Sequence, residues 1–214
     1  MNINWLGHSC FVMAEKISGQ EVTVATAPFG KEIGLFPPKI KADIVTINQH
    51  HFAYDYIEKI SNEQDEPPFI IDRPGEYEVK KLFVLGIDVP QAGKNIVIYK
   101  FEFDDISVAH LGGLNTQLSE EQIERLGQVD ILFIPVGGGD VLSGAAAAMV
   151  VREIEPRLVI PMEFKIPDLT LDLTDEQKFL KEMGGNAEVM PRLKIQRKDL
   201  PEDKIKVVVF EPGK

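Results

Sequence analysis

The sequence predicts an α/β protein of the α+β kind, in which two β-sheets are covered by helices. Two observations carry this. The first half is a succession of short apolar runs broken by Gly, Pro and Asp turns, the signature of strands. The second half alternates apolar strands with helical segments, an order that suits layered sheets and helices better than one doubly wound parallel sheet. With 214 residues, 44% of them hydrophobic, the chain can bury a large core, and a single domain over 1–214 is expected.

In chain order, residues 3–6 and 9–14 read as strands flanking Gly7-His8, and 21–25 as a third. Residues 30–41, with Gly34, Pro37 and Pro38, read as a loop. A buried strand at 44–47 enters a polar turn, after which the spacing of Tyr56, Ile57 and Ile60 predicts a helix over 53–62. The acidic stretch 63–68 is a connection, 69–72 a brief strand, and Arg73-Pro74-Gly75-Glu76 a turn. Strands at 76–79, 82–87, 95–103 and 106–109 form a meander, with turns at Ala92-Gly93 and Asp104-Asp105. Ser119 and Gln122 make a capping box that opens a helix closed by Gly127. A strand at 131–136 leads through Gly137-Gly138-Gly139 to Ser143, the cap of an alanine-rich helix over 144–154. A strand at 158–162, a helix over 174–183 closed by Gly184-Gly185, and a strand at 204–210 complete the chain.

Charge narrows the partners. The 34 acidic residues outnumber 23 basic ones, for a net charge of -11, which argues against nucleic acid or an acidic membrane surface as partner. No apolar run approaches the roughly 20 residues that span a bilayer. With no basic-then-apolar leader, a cytoplasmic location is expected. The single cysteine, Cys10, lies in an apolar run and reads as a small buried hydrophobe. No phosphate-binding glycine motif is present. Gly137-Gly138-Gly139 reads as a tight strand-to-helix connection, since the adjacent Asp140 would repel an anion. His8, His51 and His110 sit at strand ends or beside glycines, with His50 next to His51, so they can converge on one cleft.

Seven stretches, in order, resemble the metallo-β-lactamase superfamily, closest to its branch of Zn-dependent hydrolases containing ascorbate-6-phosphate lactonase-like proteins. They are Trp5-Leu6-Gly7-His8-Ser9-Cys10-Phe11, Ala42 to Ile47 with its loop, Pro74-Gly75-Glu76-Tyr77-Glu78-Val79, Gly93-Lys94-Asn95, Ala109-His110-Leu111-Gly112, Asp130 to Gly138, and Val159-Ile160-Pro161-Met162. The resemblance implies a four-layer αβ/βα sandwich, and a homo-oligomer.

It also implies where chemistry would sit. The family's H-x-H-x-D-H loop falls on Gln49, His51, Ala53 and Tyr54, its middle histidine near Gln91, its bridging aspartate on Gly113 and its last histidine on Glu163. Ala27 stands where an aspartate is usual before Pro28-Phe29. Such proteins would use zinc or manganese, and a catalytic zinc takes about three protein ligands plus an open position. With most ligands replaced, no cofactor is expected here. A vestigial cleft of His8, Gln49, His51, Tyr54, Gly113 and Glu163 is expected instead, binding a small molecule in a regulatory or assembly role. Two active alternatives remain. One is a relocated single-metal site of His8, His51, His110 and Glu163, with His50. The other is an acid–base site pairing Glu163 with His51 or His110, acting on a phosphorylated or lactone-like substrate.

Overall fold

A computed structural model of the chain describes residues 1–212. Strands β1 (Asn2–Gly7), β2 (Cys10–Ile17) and β3 (Gln20–Thr26) form a meander, followed by a 3₁₀ turn at Lys31–Ile33. Next come β4 (Ile40–Lys41), β5 (Ile44–Thr46), β6 (Ile60–Ser61) and β7 (Phe69–Ile71). The longer meander is β8 (Gly75–Val79), β9 (Leu82–Gln91), β10 (Lys94–Phe103) and β11 (Ile106–His110). Then α1 (Glu120–Leu126), β12 (Ile131–Pro135), α2 (Gly144–Ile154), β13 (Leu158–Met162) and α3 (Gln177–Glu182) alternate. Strands β14 (Glu188–Met190), β15 (Leu193–Lys194) and β16 (Lys206–Phe210) end the chain.

One sheet runs β15-β1-β2-β3-β5-β7 and the other β14-β16-β13-β12-β11-β10-β9-β8. In β1 the side chains of Ile3 and Trp5 point inward and alternate with exposed Asn2 and Asn4, a half-buried strand. In β12 and β13, parallel and central, every residue is buried. Between the sheets, the Tyr99 hydroxyl of β10 lies 2.8 Å from the Ile47 carbonyl and 2.9 Å from that of Ile71, a buried polar tie across the core.

Two expectations for helices need correction. Residues 53–62 form turns and the short β6, which pairs with β4. The Tyr56 N–H donates to the Pro28 carbonyl at 2.9 Å, so long-range partners take the hydrogen bonds a helix would have used. The third helix spans only Gln177–Glu182, with the Thr174 N–H drawn to the Gly137 carbonyl at 2.8 Å. Strands β14 and β15 and the pair β4–β6 had no clear signal in the sequence. The box of Ser119 and Gln122, the Ser143 cap and the bounds of α2 are as expected. Cys10 is fully buried, which raises its thiol pKa. Among the described residues no helix is long and apolar enough to cross a membrane.

Candidate functional site

The parallel strands β5, β11, β12 and β13 all end on one side of the molecule, where strand-to-loop crossings commonly build sites. Residues 48–54 follow β5, Gly113 follows β11, Asp140 follows β12 and Glu163 follows β13. His8 joins them from the β1–β2 turn, and Lys94 from the β9–β10 hairpin. His8, Gln49, His50, His51, Ala53, Tyr54, Lys94, Asp140 and Glu163 line a cavity of about 490 Å³, with Gly113 against the Tyr54 hydroxyl.

His8 and Glu163 form its floor. Both are buried, and both have left-handed backbones, with φ of 51° and 52°. Such strain in non-glycine residues gathers where surrounding structure enforces it. Here the His8 carbonyl accepts from Trp5 Nε1 at 3.0 Å and from the Glu163 N–H at 3.3 Å. Thr26 Oγ1 donates to the Ser9 carbonyl at 3.1 Å, and His110 Nε2 lies 2.9 Å from the same oxygen.

Tyr54 fills the centre. Its hydroxyl donates to Glu163 Oε2 at 2.7 Å, and its ring centroid lies 5.1 Å from that of His8. A Cβ placed on Gly113 would lie 2.7 Å from this hydroxyl and 3.1 Å from Gln49 Nε2. Tyr54 therefore occupies the volume into which any side chain at 113 would project. Gln91 holds the same loop, Nε2 donating to the Gly113 carbonyl at 3.2 Å.

Burial sets the protonation of the floor. It pushes the Glu163 carboxyl up to about 7, with the Tyr54 hydrogen bond and the charge of Lys94 opposing. Burial, then the fields of His51 and His110, bring His8 down to about 3, so its imidazole is neutral. Burial and the Glu163 carboxylate raise the Tyr54 phenol well above its usual value. Both His8 ring nitrogens and Glu163 Oε1 are buried without a hydrogen-bond partner, and His8 Nε2 is 3.9 Å from Glu163 Oε2. Three such atoms facing one cavity are a costly arrangement that a polar guest relieves.

Of the residues expected from the sequence, His8, Gln49, His50, His51, Tyr54 and Glu163 line this cavity, Gly113 lies against the Tyr54 hydroxyl, and His110 is not in the lining. Its Nδ1 accepts from the Gly112 N–H at 3.3 Å and its Nε2 faces Ser9, so it props the floor from behind. His51 is exposed at the rim, its ring tilted against that of Phe52 with centroids 3.9 Å apart, and its Nδ1 accepts from the Ala53 N–H at 3.3 Å. His50 points to the mouth, 3.8 Å from Asp55 and 3.5 Å from Asp72. Sequence reasoning missed Lys94, Asn95, Asp140 and the wall of Leu171, Asp172 and Leu173. The motif Gly93-Lys94-Asn95 held a signal for the first two, and the 171–173 loop held none.

Two mixed sheets with a cleft at their strand ends define the class: a metallo-β-lactamase fold. A model of the β-lactamase superfamily domain matches residues 2–163, and the chain belongs to that family. A UPF0173 protein of Pyrococcus furiosus is 26% identical over 86% of this chain and 90% of its own length. A UPF0173 metal-dependent hydrolase of Thermococcus onnurineus is 24% identical over 89% and 95%. Among solved structures, a protein of Thermotoga maritima assigned as a Zn-dependent hydrolase of the metallo-β-lactamase superfamily is 29% identical. It covers 98% of this chain and 99% of its own, with a TM-score of 0.76.

These relatives correct one expectation. The Thermococcus and Thermotoga proteins, named as metal-dependent and Zn-dependent hydrolases, point to a metal cofactor rather than to none. The orphaned nitrogens of His8 and the oxygen of Glu163, both in the candidate single-metal set, are donor types that cations take. The family's own ligand set nonetheless does not fit here. Among the described residues no three His, Cys, Asp or Glu side chains converge on one point. Tyr54 fills the space beside Gly113, where a bridging carboxylate would stand.

Proposed function

We propose that this member of the metal-dependent hydrolase family uses its cleft to bind a small molecule and does not assemble the family's two-metal centre. One observation carries the reading. The Tyr54 hydroxyl sits where the side chain of residue 113 would reach and is hydrogen-bonded to Glu163, so two family ligand positions are tied to each other. A two-metal site needs a bridging group between its ions. Neither Gly113 nor Ala53 can supply a carboxylate. The orphaned floor atoms favour a polar ligand over an inert cavity.

A second reading is favoured by the Glu163 carboxyl, which titrates near neutrality beside a neutral imidazole, as a general acid or base would. In that reading the cleft hydrolyses a small phosphorylated or lactone-like substrate through an atypical site. Assays on p-nitrophenyl esters, bis-p-nitrophenyl phosphate and simple lactones, with zinc or manganese added, decide between them. The binding reading expects no turnover above a heat-denatured control. Turnover abolished by Glu163→Gln would establish the hydrolase instead.

A further inference from the structure

We infer that the cleft selects organic cations, seating a primary ammonium group between Glu163 and His8. This deepens, and rests on, the binding reading above. Asp140 and the exposed Asp172 outnumber the single ammonium of Lys94 in the cavity lining, and Glu163 at the floor adds a carboxyl that a bound cation would keep ionised. An anionic guest would meet net repulsion on entering, and a cation net attraction. The same cation suits the floor. Glu163 Oε1 is a buried, unpartnered acceptor, and a neutral imidazole keeps one ring nitrogen as an acceptor, here also unpartnered. A primary ammonium carries three donors and no acceptor, so it satisfies both atoms, one of them by a charge-assisted bond. Val141, Leu171 and Leu173 offer apolar surface to the rest of the guest. The preference is the reverse of that expected for a phosphorylated substrate.

The test compares three guests of equal chain length, putrescine, butanediol and succinate, by calorimetry and thermal shift on the full chain. Each is run with and without a chelator. Putrescine is expected to bind at least roughly tenfold more tightly than butanediol, a margin that one charge-assisted bond supplies. Succinate is expected not to bind, and the chelator to change nothing. Glu163→Gln is expected to abolish the preference while the circular dichroism spectrum is retained. Should that variant fail to fold, the exposed Asp172→Asn and the half-buried Lys94→Gln carry the decision. The first weakens putrescine binding and the second tightens it, and no change in either overturns the inference. Equal binding of butanediol or succinate, or putrescine binding only with a divalent ion present, also overturns it. Succinate bound in the cleft would sink the cation preference while leaving a binding protein. Glu163-dependent turnover would sink the binding reading whatever the guest preference.

Discussion

Gly113 and Tyr54 share one volume, so a side chain at 113 would have to displace the tyrosine hydroxyl. An aspartate at 113 would drive its Cβ to within 2.7 Å of the Tyr54 hydroxyl. Overpacking of this kind costs about 1–3 kcal/mol. Gly113→Asp should therefore lower stability in urea denaturation by that order, and by clearly less in a Tyr54→Ala background. Equal losses in both backgrounds would mean that the two residues do not compete for space. Glu163 adds a pH signature. Its folded pKa of about 7 lies above the ordinary 4.5, so between those values the folded chain holds more protons than the unfolded one. Stability from this carboxyl is thus full below 4.5 and is lost as pH rises through 7. His8 runs the other way, its contribution being present above 6.5 and lost as pH falls through about 3. The difference in unfolding free energy between wild type and Glu163→Gln isolates the first effect. It should change by on the order of 3 kcal/mol across that window, the wild type losing ground as pH rises. A flat difference would contradict the buried carboxyl. At this scale the sequence was legible where motif order placed Gln49, Tyr54, Gly113 and Glu163, which do meet. It was silent on Leu171, Asp172 and Leu173, whose place depends on a loop crossing from another part of the chain.

Elements with local instructions were readable, and those defined by distant partners were not. Helices α1 and α2 begin at side-chain caps within three residues of the bonded N–H, so each start is written in adjacent residues. The turn region around Tyr56 has a helical apolar rhythm, yet the Pro28 carbonyl captures its N–H. Strand β6 exists only because β4 lies beside it. The sheets themselves are joined by the Tyr99 hydroxyl, which can donate to one of two buried carbonyls near the ends of β5 and β7. Tyr99→Phe leaves those oxygens without this partner and should cost about 1–3 kcal/mol in chemical denaturation. A neutral substitution would show that the tie contributes nothing between the sheets.

Across the whole molecule, the ends of the parallel strands open onto one cleft, as the family fold has them. The floor is braced from behind by Trp5, Thr26 and His110, all buried. Those braces hold His8 and Glu163 in strained backbones, which keeps the His8 ring and the free Oε1 of Glu163 at one cavity. The fold was legible because seven short stretches recur in a fixed order. The cofactor expectation was drawn from motif positions alone, and the metal-dependent relatives overturn it. On the binding reading proposed above, the cleft holds no pair of bridged ions. Metal analysis by mass spectrometry on purified protein, after loading with zinc or manganese and extensive dialysis, tests this most directly. Fewer than two ions per chain are predicted, and two tightly retained ions per chain, lost together on Glu163→Gln, would contradict it.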